Sequence, residues 1–98
     1  MSRPTTYSRH DILSEALKLS HEIGYNKVTR EVLSKRASCS PAQISHMFGT
    51  ILHLHRAIIS AAIARKDLIV LAQGLAFNHA KAIAAPQELK VLAAGSLV

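Results

Sequence analysis

Residues 24–50, GYNKVTREVLSKRASCSPAQISHMFGT, carry the pattern on which the interpretation of this chain depends. Gly24 suits the end of a first helix, and Thr29 offers a hydroxyl cap for a second helix of about eight residues. Ser40 and Pro41 then supply the cap and first residue of a third helix. Two short helices joined by a turn of roughly three to four residues predict a helix-turn-helix.

Helical patterns continue on both sides of this stretch. Ser8 caps a first helix that runs to about Ile23, and Thr50 caps a fourth helix of about twenty residues. Gly74 is expected to interrupt that helix, residues 75–85 to form another, and Pro86 to start a last short one. The predicted fold is all-α: a helical bundle with an N-terminal three-helix helix-turn-helix, a long fourth helix and one or two short C-terminal helices.

The 98 residues are expected to form one compact domain, because a chain of this length builds a single core. Residues 1–7 lack periodicity and are interpreted as a flexible basic arm. Residues 8–50 are assigned to DNA binding, and residues 51–98 to C-terminal helices and dimerisation.

Composition narrows the function classes. The net charge of +6 favours nucleic acid or another polyanion as a partner. A lone cysteine, Cys39, excludes an internal disulfide and a cysteine zinc site, which fits a reducing cytoplasm. The N-terminus lacks an apolar signal core, and residues 65–67 break the apolar run after Ala57, so we expect no membrane segment.

Several features occur in an order known from one protein family. They are Ile12-Leu13-Ser14-Glu15-Ala16-Leu17-Lys18-Leu19, Gly24-Tyr25, Val28-Thr29-Arg30, Ser38-Cys39-Ser40, Ile44, Phe48-Gly49-Thr50 and Leu54. Over about residues 8–60 the chain thereby resembles the tetracycline-repressor (TetR) class of bacterial regulators. The resemblance implies a homodimeric transcriptional repressor on a palindromic operator in the bacterial cytoplasm or nucleoid.

The chain also departs from that family. Ser45 stands where an aromatic residue is usual in the third helix, and Ile51 stands where a lysine is usual in the fourth. Two common phosphate contacts are thus missing. Only about forty residues follow the resemblance, so no large small-molecule pocket is expected, and the reduced size suggests a phage or other mobile element.

The DNA-binding residues follow from the resemblance and from side-chain chemistry. Three outward residues of the third helix are candidates for reading bases: Gln43, Ser45 and His46. Three residues at helix starts are candidates for positioning phosphates: Thr29, Ser40 and Thr50. Pro41, at the start of the third helix, is also counted among the DNA-binding residues. Arg30 suits either role, and four further cations suit backbone or groove contacts: Arg3, Arg9, Lys27 and Lys35.

Plainer interpretations remain open for these residues. Thr29 and Ser40 cap helices with or without DNA, and Gln43 and His46 also suit an ordinary solvent-facing surface. For dimerisation, a second apolar face on the fourth helix points to four residues: Ile59, Ala62, Ile63 and Val70.

Catalysis and metal binding find no support in the sequence. His53 and His55 diverge around a helix, so we expect no metal site and no cofactor, and Cys39 is interpreted as a small buried hydrophobe. His10, His21 and His79 are interpreted as surface residues without partners. No catalytic arrangement can be assembled, so we predict that the protein is not an enzyme. Two alternatives remain: a protein-interaction factor on the same fold, such as an antirepressor, and non-specific architectural DNA binding.

Overall fold

The structure is a computed structural model that describes residues 8–95. Arg3, the predicted arm and residues 96–98 lie outside this range. The helices in it are α1 (Arg9–Ile23), α2 (Arg30–Ala37), α3 (Pro41–Phe48), α4 (Ile51–Ala64), α5 (Leu68–Ala76), α6 (Ala80–Ile83) and α7 (Gln87–Gly95), with a 3-10 turn at Tyr25–Lys27. No strand occurs between residues 8 and 95, and the predicted all-α bundle is confirmed.

Hydroxyl caps start the first three helices where the sequence predicts them. Ser8 Oγ accepts from Asp11 N at 3.1 Å, and Thr29 Oγ1 accepts from Val32 N at 3.2 Å. α2 and α3 are eight residues each and are separated by a turn at residues 38–40. The two short helices and their tight turn are therefore present.

The prediction that the fourth helix has about twenty residues is wrong. α4 has 14 residues, and the chain then turns at Lys66, whose φ is +57°. Asp67 caps a separate helix, α5, because its Oδ1 accepts from Val70 N at 3.2 Å. The turn folds α5 back against α4, so the apolar residues on both helices can enter one core.

The residues assigned to dimerisation lie mostly inside that core. Ile59, Ala62 and Val70 are completely buried within the single chain, and Ile63 is half-buried. The second apolar face of α4 is therefore covered by the chain's own helices. The expectation that it forms an exposed dimer surface is wrong, because it assumed a helix with no α5 folded against it.

Gly74 does not interrupt a helix but lies within α5. A Cβ at this position would stand 2.8 Å from the Ala82 Cβ and 2.9 Å from the Ile59 Cδ1. Glycine thus allows α5 to approach α4 and α6 closely. The predicted helix over residues 75–85 is reduced to the four residues of α6.

The side chain of Gln73 on α5 connects the C-terminal helices to the segment before α2. Its Oε1 accepts from Tyr25 N at 2.9 Å, and its Nε2 donates to the Ser20 carbonyl at 2.9 Å. The Tyr25 ring packs edge-on against His55 and His79, with centroids 5.5 and 5.7 Å apart. These contacts form a clamp that holds the end of α1 and the 3-10 turn.

Three histidines interpreted as partnerless make specific contacts. His21 Nε2 lies 2.7 Å from the Asp67 carboxylate, and His10 Nδ1 lies 2.9 Å from the guanidinium of Arg65. His79 Nδ1 accepts from Lys81 N at 3.1 Å at the start of α6. His10 and His21 are exposed as predicted and His79 is half-buried, but the expectation that the three lack partners is wrong, because their partners are distant in sequence or belong to an unpredicted cap.

Within residues 8–95 no single helix is long and apolar enough to span a membrane. Helices α3 and α4 reach that length and apolar composition only when they are taken together, and they are bent by 72° relative to each other.

Candidate nucleic-acid interface

Helix α3 presents a packed side and a polar side. Ile44 and Phe48 are buried, 2% and 7% exposed, and hold the helix on the core. Gln43 and His46 are exposed, and Ser45 is half-buried between them. The faces predicted from the spacing are thus confirmed, and a polar surface of the kind that the major groove requires is available.

Gln43 is less free than the sequence suggests. Its Oε1 accepts from Ser40 N at 2.9 Å, while Ser40 Oγ accepts from Gln43 N at 3.2 Å, so the two residues form a capping box. Bidentate recognition of adenine needs both the oxygen and the nitrogen of the amide. Gln43 can therefore donate from Nε2 as it stands, but the full adenine contact requires release of the cap.

Ser45 is occupied by an arginine from the preceding helix. Arg30 Nη1 donates to Ser45 Oγ at 2.6 Å, and Arg30 Nε donates to Glu31 Oε2 at 2.9 Å. The hydrogen bond from Arg30 lowers the pKa of the Glu31 carboxyl. The Arg30 side chain is still 55% exposed, and its Nη2 has no partner among residues 8–95. Ser45 therefore does not face solvent alone. Its hydroxyl accepts from Arg30 and orients that side chain on the outward side of α3.

A cleft of about 240 Å³ lies where the starts of α2 and α4 approach α3. Its lining includes Thr29, Arg30, Ser45 and Thr50. Both threonine hydroxyls already accept capping bonds, Thr29 from Val32 N at 3.2 Å and Thr50 from His53 N at 3.4 Å. The Thr29 hydroxyl can still donate its hydrogen, and with the free N–H groups of Arg30 and the backbone N–H groups of the two helix starts it offers donors that suit a phosphate oxygen.

The other predicted cations are distributed over several surfaces. Arg9 lies over the Phe48 ring, 4.5 Å from its centroid, and its Nη1 donates to the Met47 carbonyl at 3.4 Å. Arg9 therefore joins α1 to the end of α3. Lys27 and Lys35 are exposed, and Pro41 occupies the first turn of α3.

Two residues on this surface escaped the sequence interpretation. Ala42 is exposed beside Gln43 and lines an apolar groove of about 390 Å³ along α3. Its methyl group suits contact with the methyl of thymine. Glu31 pairs with Arg30 and so restricts which edge of the guanidinium is free. The position of Ala42 in the first turn of α3 was a usable signal for such a contact with DNA. Nothing in the sequence spacing indicated the pairing of Glu31 with Arg30.

Catalytic and metal chemistry gain no positive support from the geometry. Cys39 is partly buried, and burial raises the pKa of its thiol, which keeps it protonated. His55 Nε2 lies 2.8 Å from the Val28 carbonyl, and His53 Nδ1 lies 3.3 Å from Thr50 Oγ1. No group of three potential metal ligands occurs among residues 8–95.

Comparisons with known protein families, with curated proteins and with solved structures find no match to this chain.

Proposed function

We propose that this chain is a sequence-specific DNA-binding transcriptional regulator whose α3 enters the major groove. The observation that carries the proposal is the 2.6 Å contact between Arg30 Nη1 and Ser45 Oγ. It holds a guanidinium against the polar side of a short helix and leaves one N–H of Nη1 and both N–H groups of Nη2 without a partner among residues 8–95. An arginine fork in the major groove matches the O6 and N7 acceptors of guanine.

Neighbouring groups supply the rest of a base-reading surface. His46 and the amide nitrogen of Gln43 offer hydrogen bonds, and Ala42 offers a methyl contact. The starts of α2 and α4 flank this surface with backbone N–H groups that suit phosphate oxygens. The net charge of +6 adds a long-range attraction to DNA.

The proposal includes a homodimeric repressor on a palindromic operator in the bacterial cytoplasm or nucleoid, as the TetR-like pattern implies. One short recognition helix binds weakly, and a dimer places two of them about one helical turn apart, roughly 34 Å. Because the residues first assigned to the interface are buried, its apolar contacts must come from elsewhere. Exposed apolar side chains remain on two helices that pack together, namely Ile69 of α5 and Val91 and Leu92 of α7.

Selection from a randomised duplex library at about 150 mM salt tests the proposal directly. We expect enrichment of a palindromic motif that contains guanine in each half. Retention without enrichment would indicate architectural binding, and no retention would contradict DNA binding altogether.

Matched variants connect the selected motif to α3. Gln43→Glu keeps an acceptor for the capping box but removes the amide donor, so it separates base reading from helix capping. We expect Gln43→Glu and His46→Ala to change sequence preference while the helix content and melting temperature stay unchanged. Gln87→Ala removes an exposed glutamine at the start of α7 and serves as the control.

A protein-interaction factor is the second candidate, and one observation favours it. Leu52 is 75% exposed and Ile51 is 44% exposed at the start of α4, directly beside the cleft with Thr29 and Arg30. Apolar side chains at this place suit a protein surface better than a phosphate. Substitution of Leu52 by serine would abolish partner binding in that case and leave duplex selection unaffected.

A further inference from the structure

Two neighbouring clefts that share Arg56 form a continuous basic surface beside α3. The first, of about 370 Å³, lies between the end of α3 and α4, and its lining includes Arg9, His53 and Arg56. The second, of about 270 Å³, lies between α4 and α6, and its lining includes Arg56, His79 and Lys81. We call these five residues the basic strip.

The basic strip has no acidic residue to balance its charge. Neither cleft has an aspartate or glutamate in its lining. Four acidic side chains are paired with cations outside the basic strip: Glu15 and Glu22 with Arg36, Glu31 with Arg30, and Asp67 with His21. No ion pair within residues 8–95 therefore neutralises a cation of the basic strip.

Two cations of the basic strip are not held by polar side-chain contacts within residues 8–95. The side chains of Arg56 and Lys81 make no hydrogen bond or ion pair with any residue in the range 8–95. Burial lowers the pKa of the neighbouring His79, and the positive charges of His55 and Arg56 lower it further. A surface of this kind favours an anion.

The position of the basic strip relates it to the proposed recognition surface. Arg9 lies over Phe48, which is the last residue of α3. Arg56 belongs to the second turn of α4, and the N-cap of this helix, Thr50, borders α3. From there the basic strip continues sideways to Lys81 on α6. A line of cations suits a ligand with regularly spaced negative charges, as in a nucleic acid backbone.

We propose that the basic strip binds the phosphodiester backbone of duplex DNA beside the site that α3 reads; this rests on the proposed function. Arg9, Arg56 and Lys81 contribute permanent charge, and their long side chains can extend to the backbone. These contacts strengthen binding without selecting sequence.

The test uses the full chain with Arg56→Ala and Lys81→Ala combined. The control, Lys18→Ala with Lys66→Asn, removes two positive charges outside the basic strip, and asparagine tolerates the positive φ of Lys66. Affinity is measured against salt for two duplexes carrying the selected motif, one of which extends about 10 base pairs further on each side. Circular dichroism and thermal melting establish that each variant is folded.

We expect the wild-type protein to bind the longer duplex more tightly. For that duplex, the double variant should reduce the slope of log K against log salt by about 3.6, because each subunit of the dimer no longer neutralises two phosphates and each lost phosphate lowers the slope by about 0.9. The control should retain the wild-type slope, and the preferred motif should not change. Equal slopes for the double variant and the control would overturn only the proposal that the basic strip binds the DNA backbone. A wild-type protein that binds neither duplex would overturn the proposed function as well.

Discussion

Replacement of Gly74 by alanine should destabilise the fold, although alanine normally favours a helix. In a helix interior the exchange stabilises by about 1 kcal/mol. Here the new Cβ would lie 2.8 Å from the Ala82 Cβ and 2.9 Å from the Ile59 Cδ1, well inside the usual carbon separation of about 3.5–4.0 Å. The Ala82 Cβ cannot rotate away, so α5 and α6 must separate, and overpacking of this kind costs about 1–3 kcal/mol. We expect a net loss of up to about 2 kcal/mol, the difference between these terms.

Denaturant unfolding, followed by circular dichroism, measures this change in the free energy of unfolding. Gly95→Ala is the control, because no heavy atom lies within 4 Å of a Cβ added there. Shortening Ile59 to valine removes one of the two clashing atoms, so it should cost less in the Gly74→Ala background than in the wild type. A Gly74→Ala variant at least as stable as the parent would refute the close approach of α5 to α6.

Three further predictions concern the clamp, one histidine and the base-reading surface. Gln73→Ala removes the acceptor of Tyr25 N, and we expect the free energy of unfolding to fall by about 1–3 kcal/mol, measured by urea unfolding; Gln73→Glu, which keeps that acceptor, should lose less. The pKa of His79 is lowered by burial and then by nearby positive charge, so protonation opposes folding. Its stabilising contribution is complete above the unfolded pKa of about 6.5 and is lost as the pH falls below it. Melting temperatures between neutral and acidic pH should therefore decline less steeply for His79→Asn, which keeps a cap without titrating, and identical slopes would contradict this. Arg30→Lys should preserve the salt dependence of DNA binding but reduce discrimination for guanine by about 5- to 150-fold, or about 1–3 kcal/mol. Unchanged base preference in competition binding would show that Arg30 contacts only the backbone.

Local signals in the sequence were sufficient for the first half of the fold. Thr29 and Ser40 cap their helices as predicted, because the hydroxyl and the backbone N–H that it accepts from lie only three residues apart. Asp67 before an apolar run is a signal of the same kind, and it indicates the start of α5. Read only as a break in hydrophobicity, residues 65–67 do not distinguish one long helix from two, whereas the Asp67 cap places a helix start there and ends α4 at Ala64.

Contacts between residues that are distant in the chain could not be predicted from local sequence signals. The role of Gly74 depends on Ala82 and Ile59, which belong to other helices. Burial of Ile59 and Val70 likewise depends on how α5 folds back, so helical periodicity alone could not distinguish a core face from a dimer face. Long-range packing, rather than propensity, determined each of these outcomes.

The candidate site shows the same division. The outward position of His46 follows from helical spacing, and the Ser40-x-x-Gln43 pattern of the capping box could have been recognised in the sequence. The contact of Arg30 with Ser45 joins residues 15 positions apart on two helices, and it depends on how α2 and α3 pack. Sequence reasoning named both residues but gave them separate roles.

The clamp formed by Gln73 limits how this protein can be divided or recombined. The Gln73 side chain on α5 accepts from Tyr25 N and donates to the Ser20 carbonyl, so a fragment that stops before α5 would leave both backbone groups without this partner. We therefore expect the helices before α5 to be less stable when they are fused to another partner domain without α5. Domain fusions that preserve this surface must carry the chain at least through Ala76, the end of α5.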